Sequence, residues 1–490
     1  MDQVIDDEAP TTTLLGKVVA YKYVVAIAFV LGLFMDILDT TIVNVALPTL
    51  GREFSADTNT IEWVVTGYLL SLALWIPASG WLGDRYGTKR IFIFALFTFT
   101  AASALCGAAW SIESLIVFRV LQGVGGGMLT PVGTAMLYRA FPPIERPKAS
   151  SLLAMVTVLA PALGPILGGF LVEKASWRWI FYVNLPIGVV GIAFAALYLR
   201  EHTEPAAGRF DLAGFLLSGV GLAALLYGLA EGPVRGWTDG IVLTSLGLAV
   251  AMVVALIKVE LTKQSPLLDL RLLADRSFRT PNLVSFASFG AMLGLLFLLP
   301  QFLQGPRQLT PFQSGLTTFP QALGMFVTAR FIGGYLYPRI GPRRLVMFGM
   351  AANAIITLAF VRVGLHTSEW TIRALMFGRG LTIGFGFIPL QAAAFARIRP
   401  ESTGRASALF QAQRQAGAAV GVAVLATILI ERRDALVGSL TGAEAVPRLV
   451  DAYHDAFLGS VVLAALGFVA AMFIKDSDAA PTMRPIQRKR

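Results

Sequence analysis

Charge is what this sequence has least of. Only 14% of its 490 residues are Asp, Glu, Lys or Arg, against about 25% in an ordinary globular chain. The polar skin of two or three water-soluble domains cannot be built from so few. Cysteine is scarcer still: Cys106 stands alone in an apolar run, which excludes a disulfide framework and a thiolate metal cluster and fixes no compartment. The three histidines, His202, His366 and His454, all fall between apolar runs, so a histidine proton relay inside those runs is excluded. No helical His/Glu pairing exists, and no metal is expected. The single Gly-Lys pair, Gly16-Lys17, precedes Val18 and lacks an upstream glycine at phosphate-loop spacing, so direct use of ATP is excluded. A cleaved leader is not expected either, because MDQVIDDEAP is acidic and the apolar stretch near Val24 is too long for one.

What the chain does have is apolar length. Residues of the AVILMFWYC set make up 56%, with 48 glycines and a mean hydropathy of +0.68. A spanning helix needs about 20 mainly apolar residues, and such runs fall at 22–48, 61–83, 91–110, 113–139, 148–172, 179–199, 211–231, 240–261, 281–304, 313–337, 344–363, 370–397, 404–430 and 456–475. Fourteen spans put both termini on one side. With that side cytoplasmic, the inner segments hold 26 of the 40 Lys and Arg and the outer loops 10, as the positive-inside rule requires. The net charge of +10 would suggest nucleic acid in a soluble chain; here it marks one membrane face, and no nucleic-acid partner is expected.

The chain also repeats itself. Gly80-Trp81-Leu82-Gly83-Asp84-Arg85-Tyr86-Gly87-Thr88-Lys89-Arg90, after the second span, matches Gly334-Tyr335-Leu336-Tyr337-Pro338-Arg339-Ile340-Gly341-Pro342-Arg343-Arg344, after the tenth. Six spans precede a break and six run from residue 281, leaving spans 7 and 8 as an inserted pair. Repeated halves with a binding site between them near the bilayer midplane are a common transporter plan. The expected organisation is a cytoplasmic tail at 1–21, a six-helix bundle at 22–199, the inserted pair with its cytoplasmic linkers at 200–280, a second six-helix bundle at 281–475 and a basic cytoplasmic tail at 476–490.

At these residues the sequence resembles the major facilitator superfamily, and within it the fourteen-helix drug:proton antiporters of the EmrB/QacA type. Four motifs carry the likeness: the loop segment Gly80–Arg90, the first-span run Asp39-Thr40-Thr41-Ile42-Val43-Asn44-Val45-Ala46-Leu47-Pro48, Arg119-Val120-Leu121-Gln122-Gly123 with Gly125 to Gly127, and Gly164-Pro165-Ile166-Leu167-Gly168-Gly169. The resemblance implies an all-α polytopic membrane protein with the major facilitator fold, two six-helix bundles plus an inserted pair. It implies a part for Arg119 in proton coupling near the first span. It also implies that the fifth span, with Pro161, Gly164, Pro165, Gly168 and Gly169 on one stripe, seals one half against the other; tight packing alone would need the same stripe. The glycines of the fourth span say less, because glycine is common in membrane helices.

The residues carry an argument of their own. Of the 30 acidic side chains, only Asp36 and Asp39 lie deep in a span, where an ionised carboxylate costs about 2.5–3.5 kcal/mol. Three residues apart, they share one helix face, and their mutual repulsion favours keeping one protonated near neutral pH. Asp39 and Asp36 are therefore the expected proton-coupling residues, the alternative being that one of them merely accepts a hydrogen bond or pairs with an arginine; the resemblance adds Arg119 to them, with a proton gradient as energy source and no cofactor. Arg119, Arg330, Arg379 and Arg414 are the intramembrane cations. Arg119 and Arg379 look like repeat partners, and Arg330 and Arg379 are expected to snorkel or hydrogen-bond between helices. Arg414 sits at cavity depth, where it could pair with the first-span acids or meet substrate. The expected cavity residues are Asn44, Gln122, Met155, Phe286, Gln411 and Arg414, with Trp63 and Tyr68 as further aromatic neighbours. Gly80, Asp84, Arg85, Gly87 and Arg90 should form a conformational latch, Asp84 capping a neighbouring helix or pairing with Arg85 or Arg90; Pro338 at the corresponding place makes the latch one-sided.

The expected function is proton-coupled antiport exporting small amphipathic compounds, often cationic or aromatic, such as drugs, dyes and antibiotics across the plasma (inner) membrane, by a monomer with both termini cytoplasmic. Export or flipping of a lipid or an endogenous natural product by the same machinery is the nearest alternative, and a non-transporting membrane sensor is the alternative of another class. An enzyme is not expected, because Asp36 and Asp39 share one helix rather than facing each other.

Overall fold

The computed structural model describes residues 11–14, 17–205, 208–438, 440 and 444–483; the first ten residues and the basic run 484–490 of the expected tails lie outside them. Apolar runs become helices because in hydrocarbon a helix satisfies every backbone N–H and C=O within itself. The first half comprises α1 (Tyr21–Phe54), α2 (Thr58–Tyr86), α3 (Thr88–Gly107), α4 (Ile112–Ala140), α5 (Arg146–Lys174) and α6 (Trp179–Tyr198, interrupted at Val183). The inserted pair is α7 (Leu212–Arg235) and α8 (Gly240–Thr262). The second half comprises α9 (Arg276–Gln304), α10 (Pro311–Thr318), α11 (Pro320–Phe331), α12 (Pro342–Phe360), α13 (Glu369–Ala394), α14 (Thr403–Leu436) and α15 (Ala445–Ala471).

Among the described residues, twelve helices are long and apolar enough to cross a membrane. The two other expected spans fall short for different reasons. The run 313–337 is broken: Pro320, which lacks an N–H, separates α10 from α11, and a π-turn at Ile332–Leu336 leads into a last turn at Tyr337–Ile340. α13 is continuous over 26 residues but carries Glu369, Arg373 and Arg379. Within the expected N-terminal tail, Thr11–Leu14 and Lys17–Ala20 pair as antiparallel strands with Thr11 opposite Ala20, a small exception to an otherwise helical fold.

The halves are packed alike. α1 lies on α5 and α9 on α14; α4 packs on α2 and α3, and α13 on α11 and α12. Across the interface α2 meets α14, while α5 meets α10 and α11, so second helices face fifth helices in both directions. The pair α7–α8 lies outside this frame, on α2 and α14, with Gly219 against Leu74 and Trp237 Nε1 donating to Thr427 Oγ1 at 3.1 Å.

The repeated loops turn alike as well. Gly87 at φ 104° and Gly341 at φ 84° adopt a conformation that side chains resist, each just before a helix start. An acid from beyond the sixth helix of each half accepts from that first turn: Lys89 N donates to Glu201 Oε1 at 3.0 Å, and Arg343 N to Asp476 Oδ1 at 2.9 Å. The repeat therefore includes two capping carboxylates far from the motif in sequence.

Candidate functional site

The site begins with the close packing of α4. A β-carbon at Gly123 would lie 2.6 Å from Tyr68 O, one at Gly125 2.6 Å from Ala95 O, and one at Gly127 2.5 Å from Leu72 O. Gly126 faces Tyr68 Oη and Asp36 Oδ1. These glycines, weak as a sequence signal, let α2 and α3 lie against the backbone of α4, and that approach brings Arg119 under α1.

Around Asp39 both carboxylate oxygens are engaged. Its Oδ2 accepts from Arg119 Nη1 at 2.5 Å, and its Oδ1 accepts from Gln122 Nε2 and Asn184 Nδ2, each at 2.9 Å. Arg119 is held in turn: Nη1 donates to Gln122 Oε1 at 2.7 Å, Nε donates to Val64 O at 3.0 Å, and the guanidinium lies 4.2 Å from the Tyr68 ring centre. Asp39, Arg119, Gln122 and Asn184 are all fully buried. Asn184 Nδ2 also donates to Ser103 Oγ at 3.0 Å, extending the cluster to α3 and α6. An acid, a guanidinium and two amides here form a buried network in which removing one member strands its neighbours, with Asn184 Oδ1 the one buried member atom left without a partner.

Asp36, one turn earlier, is built differently. Tyr68 Oη donates to its Oδ1 at 2.6 Å and Thr130 Oγ1 to its Oδ2 at 3.2 Å. Among the described residues it has no cation within ion-pair distance. Hydroxyls donate or accept, so these partners serve either the acid or its anion. The two acids thus differ in partner chemistry, a difference invisible in their shared spacing.

The expected cavity residues divide. Gln122 is fully buried in the Asp39 cluster rather than lining a cavity. Asn44 is exposed and gives its amide to Thr40 O, 3.1 Å away in its own helix, so it stands apart. Trp63 is exposed and stacks on Tyr227 of the inserted pair. Met155, Phe286, Gln411 and Arg414 are half-buried. Met155 packs into a cluster joining Ala154 and Val158 of α5 to Phe289, Met292 and Phe387. Arg414 pairs with neither first-span acid: its guanidinium lies 3.8 Å from the Phe289 ring centre and 5.2 Å from that of Phe387. Arg379 is fully buried, donating to Gln321 Oε1 at 2.7 Å and Met292 O at 3.2 Å, which is the inter-helix role expected of it. Arg330 is exposed on the outer face beside Phe331 and Tyr335.

On α5, Gly164 abuts Thr41 and Gly168 lies with its Cβ direction 2.9 Å from Ile42 Cγ1, whereas Gly169 faces open space. Pro161 and Pro165 are half-buried, and Pro165 borders Gly315 of α10. The stripe therefore fastens α5 to α1 and reaches the other half at one point.

Asp84 meets the start of a neighbouring helix, one of its two expected roles, but its cation is not one of those expected. Asp84 Oδ1 accepts from Arg139 Nη2 at 2.6 Å, not from Arg85 or Arg90. A β-carbon at Gly404 would lie 2.7 Å from Asp84 Oδ1, and one at Gly80 2.6 Å from Gly404 O, so the end of α2 is seated on the first turn of α14. There the carboxylate complements the positive helix terminus. Arg85 is exposed; Arg90 is exposed and 3.6 Å from Glu201. The second copy makes the matching contact through Gly333, whose β-carbon would lie 2.6 Å from Pro147 O on α5, while Gly334 faces open space.

Sequence reasoning missed Asn184, Ser103 and Arg139. Asn184 alone leaves a signal, an amide within an otherwise apolar span.

The model of the Major Facilitator Superfamily matches residues 29–422. A multidrug resistance protein B homologue of Mycobacterium tuberculosis (strain H37Rv) is 35% identical over 82% of this chain and 75% of its own length. An uncharacterised MFS-type transporter of Bacillus subtilis (strain 168), YhcA, is 32% identical over 83% of this chain and 76% of its own. The crystal structure of the human organic anion transporter MFSD10 superposes with a TM-score of 0.64 over 92% of this chain and 99% of that one, at 17% identity, a likeness of fold alone.

Proposed function

The chain belongs to the Major Facilitator Superfamily, a multi-pass membrane transporter rather than an enzyme, and on that footing we propose that it exports small amphipathic compounds in exchange for protons. The relatives named as multidrug resistance proteins favour drug-like cargo. One observation carries the proton half of the reading: Asp36 is buried among hydroxyls with no cation within ion-pair distance among the described residues, while its neighbour Asp39 is tied to Arg119. Asp36 is then the residue that takes and releases the proton. Asp39 and Arg119 hold α1 to α4 around it.

Alternating access follows from the same parts. A protonated Asp36 leaves α1 free of net charge at that depth, and an ionised one favours the state that lets water reach it. The stripe keeps α5 fastened to α1, so that the two helices move together against the second half where Pro165 borders Gly315, and Asp84 with Arg139 holds the loop ends together in one state. In a plasma membrane with both termini cytoplasmic, the basic loops face the inside and export runs outward against them.

The test is flux in inverted vesicles carrying the purified full chain, across a panel of dyes and antibiotics with an imposed pH gradient. Uptake that collapses with the gradient and is lost in Asp36→Asn supports the reading. No gradient-dependent uptake of any panel member would overturn it.

A further inference from the structure

The charges inside the spans do not balance, and the imbalance lies on one side. The first half holds two acids and Arg119, of which Asp39 and Arg119 are paired. The second half holds Arg330, Arg379 and Arg414 and no acid at comparable depth. Arg330 faces outward and Arg379 is enclosed, so Arg414 is the cation at the meeting of the halves. Among the described residues it forms no ion pair, and its Nε is buried without a hydrogen-bond partner. The neighbouring Gln413 Oε1 is likewise buried and unpartnered.

Three aromatic faces surround that guanidinium. Phe289 and Phe387 lie 5.5 Å apart between ring centres, and Phe410 is one turn away on α14, 5.8 Å from the guanidinium carbon. Aromatic faces offset part of the cost of a desolvated cation, but they satisfy none of its donors. A carboxylate, or two oxygens of a sulfonate, satisfies two at once. Met155 and Val158 of α5 belong to the same apolar cluster as Phe289 and Phe387, so the wall facing the cation is apolar.

We infer that Arg414 is the head-group site for an organic anion, and that the cargo of this transporter is an aromatic carboxylate, sulfonate or phenolate rather than an organic cation. This rests on the transport reading above and names its substrate class. The anion seats on Arg414 and its ring lies among Phe289, Phe387 and Phe410. The same site disfavours quaternary ammonium compounds, because among the described residues no carboxylate pairs with Arg414 or stands ready there to receive them. Outward movement of an anion also runs with a membrane potential that is negative inside.

Binding and flux separate this inference from the reading beneath it. The purified full chain in detergent is titrated with fluorescein, salicylate and anilinonaphthalene sulfonate, and in parallel with ethidium and tetraphenylphosphonium, following the melting temperature. The expected result is upward shifts with the anions and none with the cations, lost in Arg414→Gln and partly kept in Arg414→Lys. In inverted vesicles, anion uptake should fall at least tenfold in Arg414→Gln, with Arg414→Lys between the two. Stabilisation by the cations alone, or anion shifts unchanged in Arg414→Gln, overturns the anion site. Anion binding without gradient-dependent flux supports the site and overturns antiport. Cation flux driven by the gradient without anion binding does the reverse.

Discussion

At the scale of single residues, the partner sets of the two helix α1 acids predict opposite phenotypes. Asp36→Asn keeps the size of the side chain and both hydroxyl contacts, so the protein should fold with a melting temperature within a few degrees of the parent while gradient-driven uptake falls to the level of empty vesicles. Exchange of substrate without a gradient should persist. Asp39→Asn instead strands Arg119, and removing one member of a buried ion pair costs about 3–5 kcal/mol. That variant should lose yield of monodisperse protein and melt well below the parent. Asp39→Asn with Arg119→Gln should recover part of the stability, since no buried charge is then left alone, but not the transport. Fluorescence-detected gel filtration with thermal melts, set beside vesicle uptake, reads both outcomes. Equal flux defects with equal melting temperatures for the two single variants would remove the distinction. Depth in an apolar run was enough to pick out both acids. What tells them apart comes from Tyr68, Arg119, Thr130 and Asn184, between 32 and 145 residues away, and no spacing rule reaches that far.

Helices show where pattern reading succeeds and where it slips. Apolar length located the spans well because hydrocarbon leaves the backbone no other solution. It misjudged the run 313–337, where Pro320 and the π-turn at Ile332–Leu336 divide the chain. The π-turn adds a residue to the helix, so the motif glycine that aligns with Gly80 by sequence, Gly334, is displaced and Gly333 takes the contact with α5. An alignment of letters cannot register a change in winding. The stripe of α5 is similarly uniform in sequence and divided in space. Gly164→Ala must push against Thr41 and should lower stability by about 1–3 kcal/mol through overpacking, whereas Gly169→Ala meets no atom within 4 Å and should melt like the parent. Thermal melts of the two variants decide it, and a Gly169→Ala variant as unstable as Gly164→Ala would show that the stripe packs more tightly than these contacts allow.

Over the whole molecule the decisive question is which end is shut. At the end bearing the basic loops, Arg139 bridges Asp84 to Pro400 O at 2.6 and 3.2 Å, Ser407 Oγ donates to Pro131 O at 2.8 Å, Arg146 donates to Phe395 O, and Tyr138 stacks on Phe395 at 4.4 Å. Each of these joins the first half to the second, so the loop end is closed. Hydrogen bonds to charged groups contribute about 1.5–3 kcal/mol each, and every 1.4 kcal/mol or so is a factor of ten in a population. Asp84→Asn with Arg139→Gln should therefore raise the share of molecules open at this end by roughly tenfold to a hundredfold. Because Cys106 is the only cysteine, a Cys106→Ser background makes a probe easy to place. Ser407→Cys sits in the closed seam, 1% exposed. In inside-out vesicles a membrane-impermeant maleimide should label it slowly when Asp84 and Arg139 are intact and at least tenfold faster when both are neutralised. Arg85→Gln, which touches neither, should leave the slow rate as it is. Fast labelling in the unaltered latch would mean that the seam opens without these charges being broken, and the latch would then have to be sought in the apolar contact of Tyr138 with Phe395.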